Sequence, residues 1–205
     1  MFYLTRLISI VLVTGLASFT LPVCSQPLEP VTRLSVGIER QVSLAQSIRL
    51  DGLALNAKKS FANSWLLTAQ LLFLQEQVGE SDFTYQEQQL LLAYRLAQNE
   101  FLEWSLYAGI VREELEQEAN LFSSKNSETG YLVALNANYQ FSFNHGLDLT
   151  IETAELYDNN RYFINSRYGY RFDHNWQIGA SVVFAYNDKF DHDANEYRIS
   201  MSYLF

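Results

Sequence analysis

The chain has 205 residues, 48% hydrophobic, 15% aromatic and 18% charged, with a formal net charge of −9. That length suits one domain and leaves no room for two independent cores. The apolar content excludes a disordered chain, and the acidic balance argues against a nucleic-acid binder, which needs a basic face to neutralise phosphates.

The first element is an address. Arg6 precedes an apolar run from Leu7 to about Phe19, and Val23 and Ser25 supply small residues before Gln26. This is the pattern of a secretory signal peptide over residues 1–25, and the run falls short of the roughly 20 apolar residues of a spanning helix. The single cysteine, Cys24, follows Leu21-Pro22-Val23, where a lipidation box would carry small residues, so ordinary cleavage after Ser25 is expected. Removing 25 residues from 205 leaves 180, residues 26–205, with no cysteine. The lost segment carries Arg6 and no acid, which takes the net charge from −9 to −10. Without disulfides, stability has to come from elsewhere.

From there to the end the sequence alternates. Strands are predicted near 31–40, 48–59, 65–75, 87–98, 101–112, 131–143, 147–157, 162–172, 176–187 and 195–205. In the last, Tyr197, Ile199, Met201, Tyr203 and Phe205 line one face, and Glu196, Arg198, Ser200 and Ser202 the other. Trp176, Ile178, Ala180, Val182, Phe184 and Tyr186 repeat the arrangement one strand earlier. Side chains of a strand point alternately to its two faces, so each segment is a ribbon with one apolar and one polar side. The stretch from Glu87 to Ala119 is the least decided. Its Leu, Ala, Glu and Gln content also fits a helix through Leu90, Ala93, Ala97, Phe101, Trp104 and Ala108.

In a soluble barrel the apolar rows would face inward; in a membrane barrel they face lipid around a polar lumen. The aromatic residues near strand ends, the mixture of Arg, Glu, Gly and Ser on the opposite rows, and predicted strands of about ten to twelve residues favour the membrane form. Ending on Phe205 within an alternating aromatic strand, the sequence resembles the outer-membrane β-barrel proteins of Gram-negative bacteria, of small OmpA/OmpX-like architecture. The resemblance implies an all-β, closed antiparallel transmembrane barrel in the outer membrane, surrounded by lipid and lipopolysaccharide. It also implies that Tyr197, Ile199, Met201, Tyr203 and Phe205 are read by the barrel-assembly machinery. Short turns such as 61–65, 98–100, 143–147 and 172–176 alternate with longer polar connections at 76–85, 113–130, 158–161 and 188–194. This gives ten strands; the alternative is eight, with residues 26–64 as a periplasmic extension.

The same phase turns Glu39, Glu87, Glu103, Asp148, Glu152 and Glu196 inward with Lys58, Arg95, Arg167, Arg171 and Arg198. Opposite charges in a narrow lumen should pair, because an unpaired desolvated charge costs several kcal/mol. A barrel of this size is filled mainly by side chains, so a structural or surface-interaction role is expected, with a narrow solute channel as the alternative and an outer-membrane lipid- or peptide-modifying enzyme as a more distant one. Leu66, Leu72, Leu74 and Leu91 also turn inward, as a dry packed patch or a groove for a hydrophobic ligand. Glu113, Glu114, Glu116 and Glu118, and Asp188, Asp191 and Asp193 around His192, make the outer connections acidic, with divalent cations or bridged lipopolysaccharide as candidate partners. The Asp191-His192-Asp193 run is similar to the carboxylate and histidine groups of ten-stranded omptin proteases, but no second aspartate pair accompanies it. His145 and His174 fall at the opposite end. No catalytic set, metal or cofactor is expected.

Overall fold

Ribbons that are apolar on one side only are accommodated here by curling a single sheet onto itself. The computed structural model describes residues 32–43, 49–62, 64–78, 81–99, 101–119, 122–156, 159–189 and 191–205. Residues 1–25 and Cys24, the expected signal segment, lie outside them. The described residues form ten strands: β1 (Thr32–Ser43), β2 (Arg49–Ala62), β3 (Trp65–Val78), β4 (Ser81–Gln98), β5 (Leu102–Ala119), β6 (Phe122–Gln140), β7 (His145–Leu156), β8 (Asn159–Arg171), β9 (Trp176–Tyr186) and β10 (His192–Leu204). Each pairs antiparallel with its sequence neighbours, and β1 pairs with β10 from Arg33 opposite Leu204 to Ser43 opposite Ala194. The sheet is thereby a closed barrel with β1 and β2 inside the ladder, which removes the eight-stranded alternative.

Among the described residues, Glu87 to Ala119 is strand throughout, apart from Asn99 and Phe101 between β4 and β5. Helix propensity there amounts to tenths of a kcal/mol per residue, and pairing on both sides outweighs it.

Two segments expected as long polar connections are strand as well. β3 reaches Val78 and β4 starts at Ser81, while β5 reaches Ala119 and β6 starts at Phe122. The residues read as connections at 76–85 and 113–130 extend the ladder, with Ser81 opposite Ala119 and Ala119 opposite Phe122. Their alternation is weak because the inward face there is partly polar, as at Glu113, and the outward face has left the apolar belt for residues such as Glu114 and Glu116, although Phe83 and Tyr85 still pack inside. β4, β5 and β6, of 18, 18 and 19 residues, are therefore longer than the 11–14 of the other strands.

The outward rows form a continuous apolar belt. It runs through Leu34, Val36 and Ile38 on β1, Leu53 and Leu55 on β2, Leu67, Leu71 and Phe73 on β3, and on around to Ile178, Ile199 and Met201. Ile199 is 71% exposed and Val36 50%. At the short-turn end the belt closes in aromatic rings that touch edge to face: Trp65 and Tyr94 at 5.0 Å, Trp176 and Tyr203 at 4.9 Å, Tyr203 and Phe205 at 4.7 Å. At the other end it gives way to polar residues, among them Arg40, Asp51, Gln75, Gln88, Arg112, Thr129, Glu155 and Asn160. There Arg40 donates to Asp51 at 2.6 Å and holds that carboxyl below its ordinary range.

The interior has a dry wall and a polar remainder. Leu66, Leu91, Ala93, Tyr107, Val111, Leu132, Ala134, Ala154 and Leu156 form one buried cluster, and Leu50, Ala54, Leu72, Leu74 and Tyr85 a second. Glycines let the wall curve tightly: a Cβ on Gly109 would lie 2.0 Å from the Leu90 carbonyl oxygen and 2.8 Å from Leu91 Cα. Gly109→Ala is expected to lower stability by about 1–3 kcal/mol, the cost of forcing an ordered backbone to shift, measured by urea unfolding of the detergent-folded barrel.

Candidate functional site in the lumen

Because β1 to β10 present every second residue inward, one polar surface gathers groups far apart in sequence. In the half nearest the strand extension, Arg198 on β10 donates from Nε to Glu39 Oε2 on β1, its cross-strand partner. Its Nη1 also reaches Gln70 Oε1 at 3.4 Å. From β8, Arg161 donates to both oxygens of Glu113 on β5, at 2.8 and 3.0 Å. Glu87 accepts from Tyr85 at 3.0 Å and Gln89 at 2.9 Å, and Glu196 accepts from Gln41 at 3.1 Å. Glu39 is 1% exposed, and Glu113 is also buried. Two charged crosslinks and a mesh of amides thus span this half, where Glu39, Glu87, Glu113, Glu152 and Glu196 surround Arg161 and Arg198.

The half at the short turns has the opposite sign. Arg33, Lys58, Arg95, Arg167 and Arg171 face inward here, against Glu103 and Asp148. Arg95 pairs with Glu103 at 3.1 Å. Asp148 accepts from Asn138 at 2.5 Å, while Lys58 donates to the Tyr107 hydroxyl at 3.0 Å. Arg167 donates to the hydroxyls of Ser200 and Ser202, both at 3.1 Å. Arg171 lies over the Phe143 ring at 5.8 Å. Arg33, Arg167 and Arg171 make no ion pair among the described residues. A cavity of 170 Å³ lies between the halves, lined by Arg33, Lys58, Arg167, Arg198, Asp148, Glu152 and uncharged neighbours.

The lumenal residues expected from alternation sit as follows. Glu39 and Arg198 are joined, as are Arg95 and Glu103, whereas Lys58, Asp148, Arg167, Arg171 and Glu196 contact uncharged partners. Glu152 lies at the cavity wall. Arg33, Glu113 and Arg161 were not among the expected residues, although parity marks each. Arg33 shares the inward row of Ser35 and Glu39; Glu113 continues that of Val111; Arg161 continues that of Phe163 and Asn165. The polar composition of 113–130 and 158–161 masks the strand parity of the last two. Tyr197, Ile199, Met201 and Phe205 point outward on the closing strand.

The acidic outer groups are dispersed by the same ladder. Glu113 is turned inward to Arg161, while Glu114 and Glu116 lie on the opposite face with Lys125, at 2.5 and 3.5 Å. Among the described residues no three His, Cys, Asp or Glu side chains are grouped so as to hold a metal ion. His145 stacks on Phe141 at 5.8 Å and His174 meets Phe143 at 6.0 Å, both at the short-turn end.

No family model and no curated protein matches the chain. Among solved structures it is similar to Ail, the attachment invasion locus protein of Yersinia pestis, at 14% identity over 87% of this chain and 100% of that one, with a TM-score of 0.48. It is also similar to the outer membrane protease OmpT of Escherichia coli, at 13% identity over 86% and 95%, TM-score 0.48. A third is the translocator domain of the autotransporter NalP from Neisseria meningitidis, at 10% identity over 98% and 97%, TM-score 0.48.

Proposed function

We propose that this protein is an integral outer-membrane barrel with a structural or surface-interaction role, its lumen closed by charge-paired side chains. The observation that carries the reading is the outward belt. A water-soluble barrel would hide Leu34, Val36, Ile38, Ile178, Ile199 and Met201 and display Glu39, Glu113, Arg161 and Arg198. This chain does the reverse. The aromatic ring at the short-turn end then marks the periplasmic interface. The polar row through Arg40, Asp51 and Arg112 marks the level of the lipopolysaccharide phosphates, and the β4–β6 extension stands on the cell-surface side.

The crosslinks Glu39–Arg198 and Glu113–Arg161 support a closed lumen, because opening a path would strand buried charges. Planar bilayers containing the folded protein are expected to show no steady single-channel steps. Steps that disappear when Arg167 or Arg171 is replaced by Gln would make the protein a narrow channel instead.

A further inference from the structure

We propose that the short-turn half of the lumen is a binding site for a small doubly charged oxyanion, phosphate or a short dicarboxylate, held by Arg33, Lys58 and Arg167. This goes beyond the structural role proposed above and depends only on the geometry of the lumen.

Three observations carry it. First, the cations are brought together with little opposing charge. Arg33 lies directly across from Lys58 in the β1–β2 ladder and shares the wall of one cavity with Arg167. Of the two acids in this half, Glu103 is paired with Arg95; Asp148, directly across from Arg167 and accepting from the neutral Asn138, keeps its charge, and against that one carboxylate stand Arg33, Lys58 and Arg167. Second, the cavity between the halves is lined by Arg33, Lys58 and Arg167 together, with Asp148 and Glu152 also on its wall and Arg198 committed to Glu39, at a volume that admits a small molecule of several heavy atoms. Third, donors on the site are unsatisfied. Arg33 Nε is buried with no acceptor, and so is the hydroxyl of Thr68, a cavity-wall residue only 9% exposed. Buried donors are normally paired, and a polyoxygen anion supplies several acceptors at once, with charge-assisted bonds to the guanidinium groups.

The rest of the lumen sets direction and selectivity. Glu39, Glu87, Glu113 and Glu196 repel an anion from the far half, and the two ion-paired crosslinks obstruct it there. Entry is therefore from the short-turn end. A singly charged halide would engage only part of the arginine and lysine set, so a dianion is favoured.

The test is equilibrium dialysis of radiolabelled inorganic phosphate against the folded protein in neutral, lipid-free detergent, with thermal denaturation alongside. The wild type is expected to bind about one phosphate per barrel, displaced by sulfate or succinate but not by an equal concentration of chloride. Arg33→Gln and Arg167→Gln are each expected to weaken binding at least tenfold, while Arg49→Gln at the outer rim leaves it unchanged. In phosphate-free buffer Arg33→Gln is expected to raise the denaturation midpoint, since it relieves repulsion, and to abolish the further rise that phosphate gives the wild type. Absence of saturable binding to the wild type would overturn the proposal, as would binding unaffected by Arg33→Gln. Binding that appears only when phosphatidate is added to the micelles would also overturn it, assigning the site to a lipid headgroup. Should Arg167→Gln fail to fold, wild-type dialysis and Arg33→Gln decide the matter.

Discussion

Glu39→Ala is expected to lower the unfolding free energy of the barrel by about 3 kcal/mol, at the lower edge of the range for breaking a buried ion pair. Glu39 is 1% exposed and is the carboxylate to which Arg198 Nε donates. Its removal leaves a guanidinium out of water, with Gln70 as a distant neutral acceptor at 3.4 Å. Neither nearby acid replaces it freely, because Glu196 is held by Gln41 and Glu87 by Tyr85 and Gln89. One fewer carboxylate in that crowded half returns part of the loss, which keeps the figure at the low end. The double variant Glu39→Leu with Arg198→Met is expected to regain most of the stability, because it strands no charge. Urea unfolding followed by tryptophan fluorescence, with the slope unchanged between variants, reads both. A single-variant loss below about 1 kcal/mol would put the pair in the class of solvated surface bridges.

Val36→Arg is expected to cost about 2–4 kcal/mol in lipid vesicles, the depth-dependent cost of a lipid-facing arginine near a bilayer midplane. Val36 sits mid-belt, between Leu34 and Ile38 along β1 and across from Leu55 and Met201 on its neighbours. It is 50% exposed, so on a water-soluble barrel the same change would fall within about 0.5 kcal/mol of neutral. Ser127→Arg, on the exposed extension, supplies the internal control and is expected to change little. Equal small effects at both positions would remove the membrane from the account of this protein altogether.

The fold was legible wherever two solvents of different polarity meet the sheet. On Trp176 to Tyr186 and Tyr197 to Phe205 every outward residue is apolar or aromatic while the inward rows are mixed, Gln177, Ser181, Arg198 and Ser200 beside Val183, Ala185 and Leu204, so these runs fix both strand and orientation. Closure by ten strands followed from the same periodicity reaching back through Leu53, Leu55 and Ala57. The signal failed beyond the belt, where the outward residues of Ser81 to Gln89 and Arg112 to Gly130 are polar like many of the inward ones, Glu87, Gln89 and Glu113 among them, and composition resembles that of a loop. The lumenal charges were largely recoverable by parity, as with Glu39, Arg167 and Arg198. Their sorting by sign was not, because the height of an inward residue depends on register and strand tilt. Arg161 and Glu113 are 48 positions apart and meet only after the barrel has closed.

The ladder between β5 and β6 continues without interruption from Leu102 opposite Tyr139 to Ala119 opposite Phe122. The nine residues of β5 beyond Ile110 amount to about 30 Å of extended chain, with no bulge in that pairing to act as a hinge. A lateral force on the tip would be carried down the backbone hydrogen bonds into the rigid wall below instead of being absorbed by a floppy tether. Whatever touches this mast from outside meets a pre-shaped object at a constant height, and spends little conformational entropy in grasping it.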